Sequence, residues 1–325
     1  MIWEEQPLDF TRIGQIATLI KENVGRVIVG KDETVELMVI ALIASGHVLL
    51  EDVPGTGKTQ LAKALARSLD GTMKRIQFTP DLLPSDVSGI NFYNQKLGEF
   101  EFRPGPLFAH IVLADEINRA TPRTQSALLE SMEERQVSID GETRALEAPF
   151  LVIATQNPVE NQGTFPLPEA QLDRFLMKLS LGYPSAAEQV QILKRYQQQD
   201  PLDQLLPVVG RAELLEAQRL FVQVRFSDEL LQYLVQLAEA TRTHADAALG
   251  VSPRGVRALM KAAQVYAALR GRDYVLPDDI KALAGPVWAH RILLRTRSRQ
   301  QDQQVQTLLA GILAATPVPT EVKLR

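Results

Sequence analysis

The sequence predicts an α/β protein: a doubly wound parallel sheet covered by helices on both faces, followed by a smaller all-helical domain. Two observations carry this. Short continuous apolar runs, such as Ile111-Val112-Leu113-Ala114 and Phe150-Leu151-Val152-Ile153-Ala154, suit strands buried on both faces. After Gly182-Tyr183-Pro184-Ser185, which reads as a linker, apolar residues recur at helical spacing to the end. The expected boundaries are therefore 1–183 and 184–325. A chain of 325 residues has room for both.

The elements follow in order. Ile13, Ile16, Leu19 and Ile20 share one face of a first helix within residues 8–25. Val27-Ile28-Val29-Gly30-Lys31 is an apolar turn before a second helix from about Glu33 to Ser45. Strands are expected at 47–50, 74–78, 111–114, 150–154 and 176–181. Two segments interrupt the alternation. Residues 89–103 read as a hairpin whose second arm, Glu99-Phe100-Glu101-Phe102-Arg103, alternates polar and apolar. Residues 136–144 read as another, turning at Asp140-Gly141. Helices then occupy about 186–198, 211–222, 227–242, 253–270, 277–294 and 303–314.

Composition removes several function classes. There is no cysteine, which excludes thiolate metal sites, disulfides and cysteine nucleophiles and fits a reducing compartment. The net charge of −4 offers no general basic field for nucleic acid. No apolar run approaches the roughly 20 residues of a membrane span. Met1-Ile2-Trp3-Glu4-Glu5 has no signal-peptide pattern. A soluble, cytoplasmic protein is expected.

Chemistry is concentrated in Glu51-Asp52-Val53-Pro54-Gly55-Thr56-Gly57-Lys58-Thr59. An apolar strand, His47-Val48-Leu49-Leu50, enters this run, and the helix-forming Gln60-Leu61-Ala62-Lys63-Ala64-Leu65-Ala66 leaves it. That context marks a phosphate-binding loop. Its glycines let backbone N–H groups turn toward phosphate oxygens, and the following helix adds its positive end. Lys58 would reach the β- and γ-phosphates, and the Thr59 hydroxyl would ligate Mg²⁺. The general pattern has glycine where this chain has Asp52. That is tolerated if Asp52 stands on the strand side of the turn, where no positive φ is needed.

Ile111-Val112-Leu113-Ala114-Asp115-Glu116 ends a strand in two acids. Asp115 would help hold the Mg²⁺ shell, and Glu116 would polarise the attacking water as general base. Asn157, after another buried strand, either contacts the γ-phosphate or attacking water or serves as the turn residue before Pro158. Arg174 and Arg254 stand at a strand entry and a helix start, and guanidinium groups suit phosphate oxygens.

Together these residues resemble the AAA+ ATPases, specifically the MoxR family, along the full length. The resemblance implies a P-loop AAA+ core of three αβα layers with a five-stranded parallel sheet and a helical lid. Val29-Gly30-Lys31 resembles the adenine-side motif, with Val29 and Gly30 at the nucleotide. The 51–59 run resembles the MoxR form of Walker A, which commonly lacks the first glycine. Pro54, Gly55, Thr56, Gly57, Lys58, Thr59 and Gln60 are then its ATP contacts. Asp115-Glu116-Ile117-Asn118-Arg119-Ala120 resembles Walker B, with Thr59 and Asp115 as the Mg²⁺ residues. Asn157 matches sensor 1, Arg174 the arginine finger and Arg254, in Ser252-Pro253-Arg254, sensor 2. Residues 89–103 resemble the helix-2 insert, and 136–146 the pre-sensor-1 hairpin. These inserts are shared with magnesium chelatase motor subunits and MCM helicases.

The resemblance implies a hexameric ring in which Arg174 acts on a neighbour's site, with Arg119, Arg123 and Arg135 as alternatives. It further implies a remodelling chaperone acting with a von Willebrand factor A domain partner. An MCM-type nucleic-acid motor and a slowly hydrolysing scaffold are the competing readings. The hairpin loops argue against nucleic acid: they offer Lys96 in the first and Asp140, Glu142 and Arg144 in the second. The intact Glu116 argues against the scaffold.

Overall fold

The computed structural model describes residues 10–53, 55–157, 164–197, 199–296 and 301–319. Pro54 and Pro158, singled out above, lie outside the described residues. The chain forms two compact units: Ile20–Ala212, and Glu213–Arg325 together with the chain before Ile20.

The strands of the first unit are β1 Val48–Glu51, β2 Met73–Gln77, β3 Gly89–Asn94, β4 Glu99–Pro104, β5 Ile111–Asp115, β6 Gln136–Ile139, β7 Glu142–Ala145, β8 Leu151–Gln156 and β9 Met177–Leu179. Five of them make one sheet in the order β2-β5-β8-β1-β9. Every pairing in it is parallel. These are the five expected strands, each displaced by no more than two residues at either end. Burial explains their legibility: all of β5 is buried, and in β8 only Gln156 at the end is partly open. The register sets Leu50 beside Thr155 and Gln77 beside Asp115, so polar residues collect at the carboxyl edge of the sheet. That edge is where open α/β sheets bind ligands.

The helices, in chain order, are α1 Thr11–Gly25, α2 Asp32–Ile43, α3 Lys58–Ser68, α4 Pro84–Ser88, α5 Pro122–Glu134, α6 Glu169–Leu172, α7 Ala186–Tyr196 and α8 Arg211–Leu220. Helix α3 turns Leu61, Ala62, Leu65 and Ala66 inward and leaves Lys63 and Arg67 exposed. That stripe fixes the rotation of α3 and so the direction of its first residues, Lys58 and Thr59.

Both expected hairpins are present. β3 pairs with β4, and β6 pairs with β7. Asp140 and Gly141 have φ of 51° and 85°, the two left-handed residues of a type I′ turn. The hairpins are also joined. Asn91 Nδ2 donates to Asp140 Oδ2 at 2.9 Å. The Arg144 guanidinium lies 4.1 Å from the Phe102 ring centroid.

The second unit is helical, with α9 Asp228–Thr243, α10 Pro253–Leu269, α11 Pro277–Trp288 and α12 Gln301–Ala315. The helix expected over 277–294 is shorter. It ends at Trp288, and a 3₁₀ turn, Ala289–Arg291, follows. Leu293–Leu294 then pairs antiparallel with Ala247–Leu249. Ile292-Leu293-Leu294 is a continuous apolar run, which does not by itself distinguish helix from strand. Among the described residues no helix is long and apolar enough to cross a membrane.

Candidate functional site

The loop after β1 and the first turn of α3 border a cavity of about 360 Å³. Its lining comprises Gly55, Gly57, Lys58, Thr59 and Gln60 from the loop and helix. Asp115 and Glu116 come from the end of β5, and Thr155 and Asn157 from the end of β8. Gly55 and Gly57 have φ of 84° and 96°, which side-chain-bearing residues adopt only at a cost. No heavy atom would meet a Cβ at either position, so backbone conformation, not crowding, calls for glycine there. Thr56 Oγ1 donates to Val53 O at 3.3 Å and braces the turn.

Lys58 Nζ donates to Asp52 O at 2.6 Å and Val53 O at 3.1 Å. Burial lowers its pKa, against the opposing pull of Asp52, Asp115 and Glu116. Gln60 Oε1 is buried and has no hydrogen-bond partner among the described residues. A buried acceptor beside a lysine and a helix start fits an incoming polar ligand.

Asp115 and Glu116 are held by different neighbours. Asp115 Oδ1 accepts from Thr155 Oγ1 at 2.6 Å. Its Oδ2 accepts from Arg75 Nη2 and Nε at 2.6 and 3.1 Å. Glu116 has φ 57° and ψ 49°, a left-handed conformation that costs a non-glycine residue about 1–3 kcal/mol. Three contacts hold it there. Its N–H donates to Thr155 Oγ1 at 2.8 Å. Its Oε2 accepts from Gln77 Nε2 at 2.7 Å and meets Arg119 Nε at 3.1 Å. Thr155, Arg75 and Gln77 were not singled out from sequence. For Thr155 there is a local signal, a hydroxyl near the end of a buried strand, two residues before Asn157. Arg75 and Gln77 alternate with Ile76 and Phe78, which reads only as the outer face of a strand.

Asp52 stands on the strand side of the loop, its N–H donating to Gln156 O at 3.3 Å. Its carboxylate is buried and accepts from Ser180 Oγ at 2.9 Å, Leu181 N at 2.5 Å and Gly182 N at 3.1 Å. It therefore ties the phosphate loop to the chain leaving β9. We expect Asp52→Gly, which restores the general loop pattern, to destabilise the first unit by about 2–4 kcal/mol. Chemical denaturation of the full chain checks this; unchanged stability would show the three bonds to be dispensable.

Val29 and Gly30 are not among the cavity-lining residues. Val29 is buried, and Gly30 has φ 69°. A Cβ on Gly30 would fall 1.7 Å from Glu188 Oε1, the movable end of an α7 side chain, so the positive φ rather than the contact is what calls for glycine there. Arg174 follows α6 and is not among the cavity-lining residues. Arg254 lies in the second unit, exposed in the first turn of α10. The local sequence explains that start: Ser252 caps the helix, accepting from Gly255 N at 3.0 Å, and Pro253 takes the first helical position.

A glycine loop opening a helix at the carboxyl edge of a parallel sheet, with an acidic pair one strand beyond its neighbour, defines a P-loop fold of the AAA+ type. Comparison with known proteins agrees. Residues 47–177 match the ATPase family associated with various cellular activities (AAA), and residues 239–310 match the AAA lid domain. A crystal structure from Cytophaga hutchinsonii, of a protein provisionally named an ATPase, superposes with a TM-score of 0.87 at 38% identity, covering 96% of this chain and 97% of that one. The protein YeaC of Bacillus subtilis is 52% identical over 300 residues, 92% of this chain and 94% of its own. The chaperone MoxR1 of Mycobacterium tuberculosis is 42% identical, covering 91% and 81%, and MoxR of Paracoccus denitrificans 35%, covering 90% and 93%. The chain belongs to the MoxR family of AAA+ ATPases.

Proposed function

We propose that this protein hydrolyses ATP to ADP and phosphate in a hexameric ring and uses the cycle to remodel or activate a protein complex. The observation that carries the hydrolytic reading is the convergence of Lys58, Thr59, Asp115, Glu116 and Asn157 on one cavity. The loop amides, Lys58 and the start of α3 would hold the phosphates, with Gln60 continuing the contact. Glu116 would take the proton of the attacking water, and Asn157 would orient that water. Val29 and Gly30 would flank the base. Arg174 would act on the neighbouring subunit's nucleotide, and Arg254 would read the γ-phosphate from the lid.

The donor set fits magnesium. The Thr59 hydroxyl and the Asp115 carboxylate supply oxygen, as a hard cation requires. Among the described residues no group of three or more His, Cys, Asp or Glu forms a metal cage. That suits Mg²⁺, which is held by one or two protein groups together with phosphate oxygens. When bound it would neutralise charge on those phosphates.

A protein client is favoured over nucleic acid by the first hairpin. Tyr93, Leu97 and Phe100 are exposed there, and Glu99 and Glu101 offset Lys96 and Arg103, a surface that suits apolar protein contact better than a phosphate backbone. A von Willebrand factor A domain protein is the partner the family resemblance suggests.

Glu116→Gln tests the hydrolytic reading. We expect ATP to bind as in the wild type while hydrolysis falls about 10²–10⁴-fold. Nucleotide-binding titration and phosphate release measure the two effects separately. Hydrolysis at the wild-type rate would place the base elsewhere. Clients captured on the stalled protein would identify the partner.

A further inference from the structure

Arg75 is a cation aimed at the group that would help hold another cation. It lies on edge strand β2 with a half-exposed side chain, whereas that of Asp115 is largely buried. Two of its N–H groups converge on Asp115 Oδ2, at 2.6 and 3.1 Å, and Thr155 occupies Oδ1. A carboxylate has about four acceptor sites, so these donors leave roughly one. Gln77 locks the arrangement: its Oε1 accepts from Arg75 Nη2 at 2.7 Å while its Nε2 donates to Glu116. Arg75 and Gln77 are two residues apart and so share one face of β2. A metal shell reaching Asp115 would meet both a nearly filled acceptor and a positive charge.

We infer that Arg75 is a positioning residue that competes with Mg²⁺ for Asp115, so that the metal enters with nucleotide and not ahead of it. This rests on the ATP and Mg²⁺ reading above. The phosphates of ATP carry enough negative charge to outweigh the Arg75 repulsion, and a bare ion has no such help. Arg75 therefore raises the magnesium concentration the site needs from outside the cavity lining described above.

The test is magnesium titration of fluorescent ATP-analogue binding to the full-length protein, with nucleotide affinity in EDTA measured alongside. In Arg75→Gln the magnesium midpoint should fall about 3- to 10-fold, the range expected for removing one screened charge near the site. Affinity in EDTA should stay as in the wild type. Arg75→Lys, which keeps the charge, should restore most of the wild-type midpoint. Arg75→Met, which keeps the aliphatic stem, should behave as Arg75→Gln, and thermal melting verifies folding of all three. An unmoved or raised midpoint in folded Arg75→Gln and Arg75→Met overturns the inference alone. Wild-type binding with no magnesium dependence overturns the metal reading and the inference with it.

Discussion

Lys58→Ala will lose ATP binding while the protein stays folded. In the structure the ammonium bridges two loop carbonyls, Asp52 O and Val53 O, so it is already held over the cavity. On binding it would exchange these for phosphate oxygens, which are charged and form stronger bonds. Charge-assisted hydrogen bonds contribute about 1.5–3 kcal/mol each, and two of them correspond to roughly 10²–10⁴ in affinity. Hydrolysis should vanish with binding, because among the described residues of the lining no other side chain is cationic. Calorimetric titration with ATP gives the affinity, and thermal melting confirms the fold. Wild-type affinity in the variant would remove the phosphate-loop assignment.

Arg174→Ala should bind ATP normally and lose about 10³–10⁵ of assembly-dependent turnover, the range of arginine fingers in other P-loop enzymes. The backbone around it is firmly seated. Phe175 is fully buried, and Leu176 N donates to His47 O at 2.8 Å. Mixing Arg174→Ala subunits with Glu116→Gln subunits is decisive. If Arg174 acts across the interface, the mixture regains turnover that neither variant has; if it acts within its own subunit, the mixture stays inactive. The structure also narrows the alternatives. Arg135 is half-buried, donates to Phe150 O and Ser45 O of its own chain, and has its pKa lowered to about 10 chiefly by desolvation, so its guanidinium is already engaged within the subunit. Arg119 pairs with Glu116 of the same chain. Arg123 is exposed on α5 and remains the competitor to test.

Much of this site was legible because its signals are local. A phosphate loop needs glycines at fixed offsets before a helix, and Gly55 and Gly57 adopt the positive φ that the motif demands. Asp115 and Glu116 could be found because β5 is buried along its whole length and then ends abruptly in charge. The helix expected over 277–294 stops at Trp288 for the complementary reason: whether an apolar run continues a helix or pairs as a strand depends on a partner far along the chain, here Ala247–Leu249. Asp52 was legible only in part. Its place on the strand side follows from its neighbours, but its three bonds to residues 180–182 do not.

By itself, the sequence determined the strands, the loop, the acidic pair and the family, all of which depend on residue type at short, fixed spacing. Tertiary structure alone decided what surrounds the acids. Arg75 and Gln77 reach them from β2, and Thr155 from β8, because parallel pairing sets strands some 40 residues apart side by side. Sheet order and register are set by packing across the whole core, and no local pattern encodes which outward-facing residue will end beside Asp115.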